Sequence, residues 1–323
     1  MSLKINYKFL FTKTKIILKN FSIKMSEIYD ADDDIEKIHT AFGEKKYDII
    51  TEILCKRKNK QIQDIKKKYS ATYGDILEEK INDDYSGTLK TLLLTLLKDP
   101  IDNQINDLFK SMDGLGTDDD TLIEIIATTP PHKFKEISEK YEKKYSRKLE
   151  DDIKGDTSNA YQRLLIAIVQ GNRRENPYPN ISKIKKIVQE LKVDEGEKLD
   201  KDIFVKHFAL SSPSEIIMIF YYYEKIYKQS LLKFIEDSFG NDSVNLYKTL
   251  IDYYSNPSKY FAKRLNTWKD KIVIRTFANR REIDLDDIKK EYKKLYNKEL
   301  INDLKYNKKG DFENALEIIL LNE

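Results

Sequence analysis

The sequence predicts an all-α protein built from four copies of one unit, with five helices in each copy. The 323 residues include only 10 Gly and 7 Pro, and 35% of them are charged, a composition that suits a helical chain with few long loops. Apolar residues recur at steps of three and four, which places them on one face of a helix. The same apolar and tyrosine pattern returns four times along the chain, which identifies a repeat protein.

The repeat is clearest when residues 62–98 are compared with residues 134–170, which lie 72 positions later. A shift of a further 151 positions brings the second copy onto the fourth. These two shifts align three pairs of tyrosines, which are Tyr69 and Tyr73, Tyr141 and Tyr145, and Tyr292 and Tyr296. A shift of 86 positions instead reaches a more diverged third copy, in which Tyr223 and Tyr227 keep the apolar pattern.

The second copy shows five apolar stripes, and each stripe predicts one helix. The stripes cover residues 101–109, 122–126, 134–145, 149–153 and 161–169. Pro130 and Pro131 end the second helix and Gly171 closes the fifth, because proline and glycine terminate helices. Prolines near the boundaries between copies predict short connectors. The predicted division of the chain is 1–28 (a basic N-terminal tail), 29–99, 100–176, 177–256 and 257–323.

The reactive side chains indicate neither a catalytic site nor a zinc site, so the sequence predicts a protein that is not an enzyme. Cys55 is the single cysteine and lies in an apolar helical pattern, so we expect it to be a buried packing residue. We also expect the protein to reside in a reducing compartment. His39, His132 and His207 share no ligand spacing with one another or with Cys55. No nucleophile–base pair, phosphate loop or cofactor motif is present.

Basic residues are concentrated at the N-terminus. Residues 1–24 contain six lysines and no acid, more positive charge than the formal net charge of +3 of the whole chain. The rest of the chain is therefore close to neutral, which argues against a nucleic-acid partner. Lysines interrupt this segment too often for a signal peptide or a membrane span. Three interpretations stay open: a tail that contacts anionic lipid, a presequence, or a protein that starts at Met25.

The stretch SMDGLGTDDDTL, residues 111–122, lies between the first two predicted helices of the second copy. Capping explains part of it: Gly114 ends one helix, and Thr117 caps the next with Asp120 completing a capping box. The aspartates then fill the first turn, where the helix dipole favours negative charge. Gly116 is left unexplained. Two glycines so close together predict a tight backbone with several carbonyl oxygens turned outward, which suits Ca²⁺.

This loop and a distant acid resemble an annexin repeat. A G-x-G-T loop between the first two of five helices is followed, 40 positions after Gly116, by Asp156 in the connector KGDTS. The resemblance extends over residues 29–323 and implies a curved disc of four five-helix repeats with calcium loops on the convex face. It also implies a Ca²⁺ site made of backbone oxygens of Met112, Gly114 and Gly116 and both carboxylate oxygens of Asp156. A second, weaker site would use the carbonyl of Thr117 and the carboxylate of Asp119.

The first and third copies depart from this pattern. The first has one glycine, Gly43, and lysines in place of the aspartates, although Asp84 keeps the acid position. In the third copy, Glu197 and Leu199 stand opposite the two glycines, and we assign Asp242 as the distal acid. The sequence does not predict calcium binding by the first copy, and it favours its absence in the third.

The fourth copy has lost the loop, and Asn307 replaces the acid. Trp268 lies in what remains of the loop, and we expect it to be an aromatic of the core or of a contact between repeats. One good calcium site is therefore predicted, in the second copy.

The resemblance implies calcium-dependent, peripheral attachment of a cytoplasmic protein to acidic phospholipid. With one strong site, we expect lysines, the tail or self-association on the membrane to add avidity. The alternative is a structural protein associated with the cytoskeleton or with flagella, in which calcium matters little. Loop loss in three copies and a composition rich in Lys, Ile, Asn and Tyr resemble the α-giardins, annexin-like proteins of flagellated protists.

Overall fold

The structure, a computed structural model, describes residues 29–194 and 197–322. Twenty α-helices and one short 3₁₀ helix form this part of the chain, and it contains no strand. The predicted all-α class is confirmed. The interpretations of the basic tail concern residues outside the described part, and the predicted boundaries of the four copies stay predictions. None of the helices in the described ranges is both long and apolar enough to cross a bilayer.

The first compact unit ends at Leu97 and contains one set of five helices. They are α1 (Ala31–Glu44), α2 (Tyr47–Lys56), α3 (Asn59–Tyr73), α4 (Leu77–Asp84) and α5 (Gly87–Leu96). α1 packs against α2 and α3, and α2 packs against α5. Ile38, Leu54 and Tyr69 are fully enclosed in this core, and Cys55 is buried among them, as predicted.

The second compact unit, residues 98–323, contains three more sets of five α-helices. The first of these sets is α6 (Pro100–Met112), α7 (Asp119–Thr128), α8 (Phe134–Tyr145), α9 (Leu149–Asp156) and α10 (Asn159–Val169), with the 3₁₀ helix (Pro131–Lys133) before α8. The next is α11 (Ile181–Glu190), α12 (Lys201–Leu210), α13 (Pro213–Tyr227), α14 (Leu231–Ser238) and α15 (Asn241–Ser255). The last is α16 (Pro257–Leu265), α17 (Asp270–Arg280), α18 (Leu285–Tyr296), α19 (Leu300–Asn307) and α20 (Gly310–Leu321).

Within this unit the second and third sets share one buried core. α10 packs against α12, α7 packs against α15, and α16 packs against α18. The buried cluster runs from Ile105 through Tyr141 and Phe208 to Leu250, so the second and third sets are held by continuous apolar burial. Burying a side chain such as Phe208 contributes about 1.5–3 kcal/mol relative to leaving it exposed.

The third helix of every set ends on a residue with left-handed backbone, and these residues fix the register of the repeat. They are Gly74, Ser146, Lys228 and Asn297, with φ of 75°, 54°, 55° and 54°. The shift between the second and third copies is therefore 82 positions, and the predicted shift of 86 is wrong. The error is four residues, which is close to one helical turn. Residues shifted by this amount still lie on the same apolar face, so the wrong alignment also matched apolar positions with each other.

A buried tyrosine confirms the corrected register. Tyr69, Tyr141, Tyr223 and Tyr292 occupy the same place in their sets, and each is at most 1% exposed. The hydroxyl of Tyr141 donates to Asp152 at 2.5 Å, and that of Tyr292 donates to Asp303 at 2.9 Å. A common tyrosine therefore joins the third helix to the core in all four sets.

Candidate functional site

The loop between α6 and α7 is held open by two glycines. Gly114 has a φ of 135° and Gly116 a φ of 86°, which side chains with a Cβ rarely adopt. The amide of Asp118 donates to the carbonyl oxygen of Ser111 at 2.8 Å and closes the base of the loop. Residues 113–116 project into solvent above this bond. The sequence prediction that both glycines serve one tight loop agrees with this geometry.

The residue that caps α7 is Asp118, and the predicted N-cap at Thr117 is wrong. The Asp118 carboxylate accepts from the amide and the hydroxyl of Thr121, at 3.3 and 2.8 Å. The hydroxyl of Thr117 donates instead to the backbone oxygen of Asp156 at 3.0 Å. Threonine and aspartate are both good caps, so the sequence alone could not decide between neighbours. The Thr117 bond ties the loop to the end of α9.

Four groups around this loop suit a hard cation. Among the hydrogen bonds of the described residues, none ends on the carbonyl oxygens of Met112, Gly114 or Gly116. The exposed carboxylate of Asp156 likewise has no hydrogen bond or ion pair within the described ranges. Neutral carbonyl oxygens with one carboxylate form a Ca²⁺ donor set. The residues present therefore fit the cation that the sequence predicts there.

The donor set does not depend on a cluster of acids. No group of three or more His, Cys, Asp or Glu side chains is arranged for a metal ion anywhere in residues 29–194 and 197–322. A site on this loop would draw most of its oxygens from the backbone, which explains why two glycines identify it better than the aspartates do.

Leu115 is the functional candidate that sequence reasoning missed. It lies between Gly114 and Gly116 and is fully exposed, with a relative accessibility of 110%. The side chain of Met112, at the base of the loop, is 5% exposed and anchors the loop in the core. Single exposed apolar side chains are common on protein surfaces, so it is the position of Leu115 at the tip of the candidate site that makes it a candidate. Its place between two loop glycines was the signal available in the sequence.

Asp119, a ligand of the implied weaker site, is engaged elsewhere. Its carboxylate accepts from the hydroxyl of Tyr161 at 2.8 Å. Burial, together with the negative charges of Asp242, Asp118 and Asp156, raises the pKa of Asp119 above its usual range. Asp119, Asp156, Tyr161 and Asp242 line a cavity of about 310 Å³. Thr117 and Asp119 thus lie two residues apart, and the Asp119 carboxylate already has a protein partner, whereas the implied ligand at Thr117 is its carbonyl oxygen.

The aspartate run also joins the second set of helices to the fourth, which the sequence did not predict. The Nζ of Lys271 lies 2.7 Å from Asp118, and the guanidinium of Arg264 lies 2.9 Å from Asp120. Burial opposes ionisation of both carboxylates, but these cations outweigh it and lower the pKa of Asp118 and of Asp120. The run therefore caps a helix and also forms salt bridges between sets.

A buried ion pair lies beside these bridges. Glu124, whose side chain is 3% exposed, accepts from Nε of Arg264 at 2.8 Å and from Nε of Arg275 at 2.7 Å. Burial lowers the pKa of Arg275, but the charge of Glu124 reverses this, and the net shift is upward. One carboxylate thus holds two arginines of the fourth set.

The first set has no comparable loop. α1 continues through Gly43 to Glu44, and α2 starts at Tyr47, so only two residues connect them. The hydroxyl of Tyr47 donates to the carboxylate of Asp84 at 3.3 Å. The predicted loss of the loop is confirmed, and the surviving acid has a protein partner.

The third set lacks the distal acid. α14 ends at Ser238, as α9 ends at Asp156. Asp242 lies one turn further on, in the first turn of α15. The assignment of Asp242 as the distal acid is therefore wrong, for the same one-turn error in register. The carboxylate of Asp242 instead faces the cavity that it shares with Asp119.

The loop of the third set is also realigned. Asp200 caps α12 as Asp118 caps α7, which fixes the correspondence at 82 positions. The residues that stand opposite Gly114 and Gly116 are then Gly196 and Lys198, not Glu197 and Leu199. A lysine in place of the second glycine and a serine in place of the acid both disfavour a cation.

The fourth set closes its connection with a lysine. Four residues, 266–269, join α16 to α17, and Asn307 ends α19 where Asp156 ends α9. The Nζ of Lys308 donates to the carbonyl oxygen of Trp268 at 2.7 Å and pairs with Asp270. The ring of Trp268 meets Tyr292 of the same set edge to face at 6.3 Å, so Trp268 is a half-buried aromatic that packs against the core of its own set.

Comparisons with a family model, with known proteins and with solved structures agree with one another. The annexin family model matches residues 29–96, 106–168 and 259–319. The chain is 32% identical over 308 residues to annexin A8 of Bos taurus, which covers 91% of this chain and 94% of that protein. The solved structure of annexin III is similar with a TM-score of 0.86 and 30% identity, covering 91% of this chain and 94% of the other. The calcium-bound structure of α-14 giardin shares the fold, with a TM-score of 0.76 and 18% identity over 90% of this chain and 99% of the other.

Proposed function

Because this chain belongs to the annexin family, we propose that it binds anionic phospholipid membranes in a calcium-dependent way, through one calcium site in the second repeat. Calcium-dependent phospholipid binding characterises the family. The observation that carries the proposal for this chain is the set of oxygens left without partners at Met112, Gly114, Gly116 and Asp156. We place the protein in the cytoplasm and at the membrane periphery.

The proposed site offers an incomplete shell. Three carbonyl oxygens and the two carboxylate oxygens of Asp156 make five ligands, while Ca²⁺ takes about 6–8 oxygens. Water or a lipid phosphoryl oxygen completes the shell. Since Asp156 supplies the one formal charge among these ligands, we expect weak Ca²⁺ affinity in the absence of lipid.

Binding of calcium and binding of lipid then reinforce each other. A phosphoryl oxygen in the shell raises the affinity for Ca²⁺, and bound Ca²⁺ raises the affinity for the lipid by the same factor. Thr117 contributes by joining the loop to the backbone of Asp156 at 3.0 Å, so the two halves of the site are preorganised. Further avidity comes from lysines and from self-association on the membrane.

Sedimentation with phosphatidylserine vesicles tests this function. We expect the fraction of protein that pellets to rise steeply with Ca²⁺ and to fall when a chelator is added. The same assay on a chain that starts at Met25 measures the contribution of the basic tail. Equal pelleting in Ca²⁺ and in chelator would contradict the proposal.

Replacement of Leu115 by serine is expected to weaken vesicle binding at least about tenfold at fixed Ca²⁺, because burying a leucine is worth about 1.5–3 kcal/mol. Affinity for Ca²⁺ without lipid should not change, since the Leu115 side chain is not a ligand. Ile283→Ser is the matched control, because Ile283 is 67% exposed and lies in the turn before α18. An equal loss in both variants would mean that Leu115 has no special contact with the membrane.

The absence of a calcium ligand set from three of the four repeats favours a second candidate, a cytoskeleton-associated protein of the annexin fold. In that case the repeats act as a scaffold and calcium has little effect. Co-sedimentation with microtubules in chelator, at a level that exceeds vesicle binding in Ca²⁺, would favour this candidate. Binding to vesicles alone would favour the membrane.

A further inference from the structure

In the fourth repeat, the ammonium group of a lysine side chain takes the place of a bound cation. The register of 151 positions places Trp268 opposite Thr117, Asp270 opposite Asp119, and Lys308 opposite Thr157. The ammonium of Lys308 lies between the carbonyl oxygen of Trp268, at 2.7 Å, and the carboxylate of Asp270. Its side chain is 11% exposed. The carbonyl of Trp268 and the carboxylate of Asp270 stand at the positions implied for the weaker calcium site. In this repeat, both already bind the ammonium group of Lys308.

Three exposed side chains lie within two residues of Trp268 or Lys308 in the chain. Tyr306 is 82% exposed and lies next to Asn307, at the end of α19. Lys269 follows Trp268, Lys309 follows Lys308, and both are exposed. No carboxylate of the described residues pairs with either ammonium, and Lys309 donates to the backbone oxygen of Lys305. Lysines without acidic partners retain their charge for an external anion.

This surface is linked to the candidate calcium site through Lys271. Lys271, next to Asp270, bonds Asp118 at 2.7 Å. Asp118 closes the calcium loop, whose neighbouring Thr117 bonds the backbone of Asp156 at 3.0 Å. A short series of contacts thus joins the two places.

We propose that the fourth repeat contacts anionic phospholipid headgroups without calcium, through Lys269, Tyr306 and Lys309. Each lysine near an anionic membrane surface strengthens binding by about fivefold. Tyrosine suits the boundary between headgroups and acyl chains, because its ring is apolar and its hydroxyl is polar. The inference rests on the proposed function only in taking an anionic membrane as the partner. Lys308 stabilises the connection between α16 and α17 through its bonds to Trp268 and Asp270, without a metal ion.

The full chain carrying Lys269→Glu and Lys309→Glu tests this contact, with vesicles of equal parts phosphatidylcholine and phosphatidylserine at low salt in chelator. We expect a loss of at least about twentyfold in the calcium-independent affinity of the native chain. Added Ca²⁺ should still increase binding of the variant. Tyr306→Ser should give a smaller loss in the same direction.

The matched control carries Lys143→Glu and Lys186→Glu, which make the same charge change at two exposed lysines of α8 and α11. Equal losses in both double variants, or no loss in the first, would overturn the proposal. Thermal unfolding checks that each variant is folded, and Lys269→Met with Lys309→Met replaces the first pair if it is not. The two proposals can also fail separately. If the Lys269→Glu, Lys309→Glu variant loses the chelator-resistant binding while the native chain does not respond to Ca²⁺, this contact is supported and the calcium site is refuted.

Discussion

Replacement of Asp156 by alanine is expected to remove the calcium dependence of membrane binding. Asp156 supplies two of five proposed protein ligands and their one formal charge. Mutation of a group that only supports a metal ligand costs about 10–100-fold in affinity, so loss of a ligand should cost at least about tenfold. Isothermal titration with Ca²⁺ measures this loss, and vesicle pelleting in Ca²⁺ should fall to the level in chelator.

The folded state should tolerate this change, because the Asp156 carboxylate has no partner in the described structure. Asp151→Ala is the control. Asp151 is an exposed acid of the same helix, and it pairs with Lys154 at 3.3 Å. Calcium affinity should be native in the control. Native calcium affinity in Asp156→Ala would show that the ligand set is wrong.

Replacement of Glu124 by alanine is expected to give the largest loss of stability, about 3–5 kcal/mol in the free energy of unfolding at neutral pH. Glu124 is the carboxylate that holds both Arg264 and Arg275, and its side chain is 3% exposed. Its removal leaves two largely buried guanidinium groups with less compensation for their charge. Urea unfolding of the native and variant chains measures the difference.

The control for this change is Asp237→Ala. Asp237 pairs with Lys233 at 2.8 Å, but both side chains are more than 60% exposed. Exposed pairs contribute about 0–1 kcal/mol, so this variant should be close to native. Similar losses in the two variants would mean that the buried pair between the second and fourth repeats does not stabilise the unit.

The helices could be predicted from the sequence because their information is local. Steps of three and four between apolar residues gave five helices for the second copy, and the structure has five there. The shift of the third copy was wrong because a slip of four residues preserves a helical face. The left-handed caps at Ser146 and Lys228 removed the ambiguity, and glycine marks this position only in the first copy, at Gly74.

The candidate site could be proposed from the sequence for the same reason. Two glycines and an acid at a fixed distance point to Gly114, Gly116 and Asp156, and the fold brings the loop next to Asp156. The partners of the aspartate run could not be found this way, because Arg264 is 144 residues from Asp120 and Lys271 is 153 residues from Asp118. No local pattern encodes such contacts. They arise when the fourth set of helices packs on the second.

The most direct test of a single calcium site in the second repeat is a crystal structure of the full chain soaked with a lanthanide, with the ion located by its anomalous scattering. We predict one dominant peak, bound by the backbone oxygens of Met112, Gly114 and Gly116 and by the carboxylate of Asp156. No peak at this loop, or peaks of equal height in the other three repeats, would contradict the account.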